Sequence, residues 1–434
     1  MSFQNVGTPR FYVDIFQYLQ AIGDIESTQY GAFDAIIGNW GPIYTGDIVG
    51  VNQHPFGIDP WKERRHPYTG SSYKEKVADF YIDKKPDVFN NDILYNLDSK
   101  DLINGFNLHR YINYCAVLGH DHNTFTFGLE AKSIYTDTTA GVTSDCYWHP
   151  DPSRYKDIFG TELSEDGDFN NLRVKINKGN GFSLCTFEEW LPDVLQDNTG
   201  DYVSNTYEYP YKIGINFQQA TGIPFQPSNN YHNSVSMGTY WDMPQSPNMK
   251  MTFSREFDGI TSKRTKGGAN LTNISYTGPP KWGELPQFTS TIKTPTHNVT
   301  RAGRRKWSLS FDFLKDDDSM GAFESPTRGP WATEYIDVNS YEWPSPVDSP
   351  GPNWNSGVDI SPADTTIPML EEANIYSRLL LPTLGGRLPF IFQPDNTNKN
   401  PDQFAICTIP TKTISFRQKS HKTYSLRFDV VETW

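Results

Sequence analysis

The sequence predicts a mainly β protein with some α, an α+β chain, on three observations. Aromatic residues make up 14% of the 434 residues, and aromatics favour pleated, half-buried surfaces. The 33 Gly and 31 Pro are spread along the whole length, and both mark turns. Several segments alternate apolar and polar residues with period two, the mark of a strand with one buried face. Many short strands joined by long ordered loops satisfy all three.

The elements follow in order. Pro9–Phe16 reads as a strand, and Phe16–Ile22 as a short helix or turn. Gly38–Tyr73 is loop-rich, with Pro42, Pro55, Pro60 and Pro67. His109–Leu118 is apolar and aromatic, and Asn123–Leu129 alternates with Phe125 and Phe127 on one face. Thr136–Asn171 is polar and turn-rich. Within Phe182–Leu195, the run Phe187-Glu188-Glu189-Trp190-Leu191 fits one helix. Tyr207–Phe217 returns to strand character, with Pro210 at its start or on an edge. The texture changes near residues 235–250. This divides the chain into a β-rich N-terminal domain, 1–240, and a second domain, 241–434.

The second domain opens with a strand at Lys250–Phe257 and a polar, Gly-containing stretch to Asn273. Lys306–Phe313 places Trp307, Leu309, Phe311 and Phe313 on one strand face. Residues 316–366 are acidic and rich in Pro, Ser, Gly and Trp, and read as an extended arm insertion. Loops of that length inside a domain usually make contacts or carry function. Met369, Ala373, Tyr376 and Leu380 then form one helical stripe. Pro368 suits its first turn, and Glu371 and Glu372 suit the positive end of its dipole. Pro382 and Gly385-Gly386 stop it. Four more strands follow: Leu388–Gln393, Phe404–Ile409, Thr413–Arg417 and Thr423–Glu432. The order is strand, long loop insertion, helix and strand meander.

Charge narrows the function classes. The net charge is −13, with no basic face across the whole chain, so direct nucleic-acid binding is not expected. The N-terminus lacks a basic region followed by an apolar run, so no secretion signal is expected. No stretch approaches the roughly 18 apolar residues of a membrane span. Cys115, Cys146, Cys185 and Cys407 are scattered, which suits reduced, mostly buried thiols.

The C-terminal layout resembles a domain of tailed-phage minor tail and baseplate structural proteins. The matching residues are Trp307-Ser-Leu-Ser-Phe311, the helix around Glu371–Leu381, Gly385-Gly386-Arg-Leu-Pro-Phe390-Ile-Phe-Gln-Pro394, Cys407 and Ser425–Glu432. Ser254–Asn273, with Lys266-Gly267-Gly268, looks like the approach to the same domain. The run Leu388–Cys407 is similar to virion structural proteins of marine cyanophage-like viruses. The likeness covers roughly the last 180 residues. The insertion at 316–366 departs from it, because the compact tail domain lacks such a segment. The resemblance implies a virion protein, made in the host cytoplasm, that packs as copies of itself in a symmetric ring against other tail or baseplate proteins. It carries over no catalytic residue and no cofactor.

Candidate residues follow from that expectation. Trp331, Trp343 and Trp354 punctuate the insertion and suit interface anchors. Arg301, Arg304, Arg305 and Lys306 form a basic cluster suited to an acidic neighbouring subunit. Lys263, Arg264 and Lys266 form a second, and Arg64-Arg65-His66 a third. A rival reading is a glycan-binding module used in host recognition, stacking Trp40, Trp61 or Trp148 on sugar rings. Cys115, His120, His122, Cys146 and His149 carry zinc-ligand chemistry, but their spacing matches no known finger, and separate core thiols and surface imidazoles explain them as well. Asp316–Asp318 and Glu165–Asp168 lack the alternating oxygens of a calcium loop. No Gly-x-Ser-x-Gly, P-loop or dinucleotide fingerprint occurs, and no enzyme is expected.

Overall fold

The computed structural model describes residues 6–21, 58, 64–65, 78–83, 112–120, 125–137, 142–163, 173–176, 181–188, 190–192, 206–207, 212–219, 231–232, 234–249, 251–256, 260–274, 304–319, 374–400 and 403–433. These are dominated by antiparallel strands. In the first 240 residues they are β1 (Arg10–Asp14), β2 (Arg64–Arg65), β3 (Ala78–Asp83), β4 (Tyr114–His120), β5 (Phe125–Asp137), β6 (Val142–Pro150), β7 (Lys156–Phe159), β8 (Thr161–Leu163), β9 (Arg173–Ile176), β10 (Gly181–Thr186), β11 (Trp190–Pro192), β12 (Thr206–Tyr207), β13 (Lys212–Gln219) and β14 (Tyr231–His232). Then come β15 (Ser234–Asp242), β16 (Thr252–Glu256), β17 (Ile260–Arg264), β18 (Asn270–Ile274), β19 (Arg304–Lys315), β20 (Phe390–Gln393), β21 (Ala405–Thr408), β22 (Phe416–Ser420) and β23 (Thr423–Glu432). Helix α1 is Ile15–Ala21 and α2 is Asp316–Ser319. No helix among the described residues is long and apolar enough to cross a membrane.

The largest sheet runs β16-β19-β23-β21-β20-β1-β15-β4-β10-β7, with β22 beside β23. Strand β1 lies between β20 and β15, so the first strand of the chain joins its last segment to its middle. The expected boundary at 240 falls within β15. A second sheet runs β11-β6-β5-β13-β3, with β12, β9 and β8 attached.

Alternation decides which side chains enter which core. Phe11 and Val13 face one cluster with Trp307, Leu309, Phe311, Phe390, Phe392, Leu426, Phe428 and Val430. Tyr12 faces the other, with Tyr114, Ala116, Leu118, Leu184, Ile391, Phe404 and Ile406. The centre of the sheet is thus buried on both sides. That is why Phe390-Ile-Phe-Gln393 reads as an unbroken run and is buried throughout. Fully burying each such ring contributes about 1.5–3 kcal/mol.

Several polar groups in this core are paired. Tyr12 Oη donates to Gln393 Oε1 at 2.8 Å, and Gln393 Nε2 donates to the Asp395 and Asn398 carbonyls. That bracket holds the Pro394–Asn400 loop and explains a glutamine ending a strand. Arg10 bridges Asp242 at 2.6 Å and lies over the Tyr240 ring. Asp14 caps α1, its Oδ1 accepting from the Phe16 and Gln17 N–H groups.

A π-helix spans Tyr376–Leu380, and the Leu381 N–H donates to the Tyr376 carbonyl. Ile375, Leu379 and Leu380 face the first cluster. Gly385 and Gly386 end it at φ +71° and +82°, a region open to glycine. At Gly386 a Cβ would also strike Ile409. The start of the expected stripe, 368–373, lies outside the described residues.

Three expectations are corrected. Phe187–Leu191 is no helix: the Phe187 side chain is fully buried, its N–H bonds the Asn113 carbonyl, and Trp190–Pro192 pairs with β6. The polar stretch Thr136–Asn171 contains β6, β7 and β8, strands whose polar composition hid them. Phe313 does not share a face with Phe311. A bulge between Phe311 and Leu314 shifts the register, so Leu314 points inward and Phe313 outward.

Candidate functional site

Of the basic cluster, the described members behave differently from one another. Arg305 is buried, with its guanidinium on both oxygens of buried Glu432 and on the Phe404 carbonyl. Its work is to tie β19, β23 and the segment before β21 together. Lys306 is partly exposed and reaches Asp429 at 3.2 Å and Glu256 at 3.6 Å. Those carboxylates raise the Lys306 pKa, through a hydrogen bond to Asp429 first. Arg304 begins β19 and is half-buried. Arg301, Trp331, Trp343 and Trp354 lie outside the described residues.

The second cluster has a different setting. β17 and β18 pair in register from Ile260↔Ile274 to Arg264↔Asn270, a hairpin that joins no other sheet among the described residues. Lys263 and Arg264 occupy its distal end and Lys266 its turn, and every residue from 261 to 273 is exposed. The hairpin follows β16, one of the two end strands in the order of the largest sheet. Among the described residues β16 pairs only with β19, leaving its outer side without a neighbour. Arg64 and Arg65 form a short pair with Tyr231 and His232, and His66 lies outside the described residues.

The expected metal ligands are divided. Cys115 is on β4, fully buried against Cys185, and burial pushes its thiol up. Cys146 and His149 are on β6 in the other sheet. His122 lies outside the described residues, and among those described no group of three or more His, Cys, Asp or Glu converges. Cys115, Cys185 and Cys407 are free, buried thiols. Asp318 Oδ2 accepts from the Lys315 N–H, a turn-capping use. Glu165–Asp168, Trp40 and Trp61 are outside the described residues, and Trp148 is on β6.

Sequence reasoning missed two surface features. Phe313 is 76% exposed at φ +64°, a conformation unfavourable for a bulky side chain. The Gln245 side chain donates to the Asp312 carbonyl, and Asn248 Nδ2 donates to Asp312 Oδ2 at 2.7 Å, so this bulge is held in place. Met249, next to Asn248, is fully exposed. The adjacent apolar pair Phe313-Leu314 was the available signal, because period two cannot hold both on one face. The other feature is a groove of about 370 Å³ lined by Tyr376, Leu380, Leu384, Ile414 and Phe416, with Lys412 at its rim.

One titratable group stands out. Burial pushes the Asp14 carboxyl up to about 7, against the backbone donors at Gln17 and Phe16, and its Oδ2 has no hydrogen-bond partner. Its cap role accounts for its position. Taken together, the described surface offers a strand edge without a neighbour among the described residues, a cationic hairpin and exposed apolar side chains. Comparison with protein-family models, with curated proteins and with solved structures found no match.

Proposed function

We propose that this chain is a structural subunit of a phage virion, packing in a ring of the tail or baseplate and joining adjacent layers. The observation that carries this reading is an edge of the largest sheet, β16, whose outer side has no neighbour among the described residues. An edge strand presents unpaired backbone groups that recruit other strands, and free-standing proteins cover or close such edges. β16 is short and carries Arg255 and Glu256, so it resists indiscriminate pairing while admitting a charge-matched neighbour. The resemblance of roughly the last 180 residues to minor tail proteins points the same way.

On this reading the segment from β19 through the π-helix to β23 is the strand–helix–meander docking block; the expected arm begins in α2, where Ser319 is buried, and its remainder, 320–366, lies outside the described residues. The partners are copies of the same chain and other virion proteins, and the work is geometric rather than catalytic. The test is cryo-electron microscopy with peptide mass spectrometry of purified particles. Density for the chain in a tail or baseplate ring is expected. A chain recovered only outside particles, as a stable monomer, defeats the proposal.

A further inference from the structure

We infer that the hairpin β17–β18 is a docking arm for a second copy of this chain, seated by its cationic tip on an acidic face of that copy. The inference rests on reading the chain as an assembly subunit.

The hairpin is well formed. Its turn is closed by the Thr265 N–H to the Ala269 carbonyl at 2.8 Å and the Gly268 N–H to the Thr265 carbonyl at 3.0 Å. Thr265 Oγ1 accepts from the Ala269 N–H, and Gly268 sits at φ +87°. The Ser262 and Thr272 hydroxyls are bonded across the strands. Yet every residue from 261 to 273 is exposed, including Leu271 at 61%. A lone two-stranded ribbon is marginal in water, and residues 261–273 gain no burial that would support this one.

Charge identifies the occupant. Residues 260–274 hold Lys263, Arg264 and Lys266 and no carboxylate, while the chain as a whole stands at −13. Some cations of the described residues find acids within the chain: Arg10 with Asp242, Lys156 with Glu188, Arg305 with Glu432 and Lys306 with Asp429. Among the described residues the three arm cations make no ion pair. They form a preformed positive tip on a chain whose other residues are net acidic, which is the complement a second copy supplies.

The test uses the full-length chain and a triple variant, Lys263→Glu, Arg264→Glu and Lys266→Glu, with circular dichroism to confirm equal folding. Self-association is measured by sedimentation velocity in low salt and in about 1 M salt, where screening shortens to about 3 Å. Wild-type association that weakens in high salt, and that falls about tenfold or more in the variant, is expected. Unchanged association of the variant overturns the inference, as does a wild-type chain that stays monomeric in low salt. Titration with a duplex DNA and with phosphatidylserine vesicles covers other acidic occupants. Loss of either of these bindings in the variant, without loss of self-association, also overturns it. The virion proposal is judged separately, by presence of the chain in particles. An inert hairpin on a particle-bound chain defeats the arm alone.

Discussion

Strand β19 and the hairpin β17–β18 both adjoin β16, one as its hydrogen-bonded partner and one as its continuation along the chain. Their side chains meet opposite environments. In β19, Trp307, Leu309 and Phe311 are fully buried, and Arg305 is held by Glu432. In the hairpin every residue from 261 to 273 is exposed, and its cations are unmatched among the described residues. The difference separates two uses of the same local structure. Strands that bury apolar faces supply stability, whereas a ribbon exposed from 261 to 273 supplies little.

Removing one half of the buried pair is the strongest way to break that comparison. Arg305→Ala leaves Glu432 in the core without its partner, and a loss of about 3–5 kcal/mol is expected in urea denaturation. Arg305→Met together with Glu432→Leu should recover most of it, because apolar groups of similar size need no partner. A loss below about 1 kcal/mol for the single change would mean that water reaches Glu432.

The next effect depends on pH. Folded Asp14 ionises at about 7, and an unfolded aspartate at about 4. The unfolded chain therefore gives up this proton first. Stability from this group is fully present below about pH 4, is lost as pH rises to about 7, and stays lost above. Asp14→Asn keeps the acceptor for the Phe16 and Gln17 N–H groups but cannot ionise. Its melting temperature should lose that downward slope, leaving it more stable than wild type at pH 8 by up to a few kcal/mol. Parallel pH profiles for the two proteins would rule this out.

A smaller gain tests the strained bulge. Phe313→Asn places a residue that tolerates positive φ where an exposed phenylalanine now sits, and should stabilise by about 0.5–1 kcal/mol. Destabilisation beyond that amount would show that the Phe313 ring supports the fold. Smallest of all is the hairpin itself. Leu271→Thr should shift global stability by no more than about 0.5 kcal/mol, since the side chain is exposed. A larger loss by calorimetry would mean that the hairpin packs on its own chain, which removes the contrast with β19.

Legibility in the sequence tracked the range of the interaction concerned. Strand β23 matches its expected limits, Thr423–Glu432, because Leu426, Phe428 and Val430 alternate with polar residues over its whole length. β1 and β20 were also legible. β15 was not, although it lies mid-sheet, because Ser234, Ser236, Gly238 and Thr239 dilute its apolar signal. Of the candidate surface, the cations Lys263, Arg264 and Lys266 were visible, but not that they tip a hairpin. Arg305 looked like its neighbours in the basic cluster. Its partner Glu432 is 127 residues away, and only the register of β19 against β23 brings them together.

The amino-acid sequence by itself determined the β-dominated character, most C-terminal strands, the buried thiols at Cys115, Cys185 and Cys407, and where positive charge is concentrated. Those properties come from side-chain size, period and charge, which are local. Tertiary structure alone decided that β1 joins the chain's middle to its end, that Arg305 is interior, that Phe313 points out and that residues 261–273 of the hairpin are exposed. Each depends on which strand lies beside which, and strand pairing is set by contacts between residues far apart in the chain.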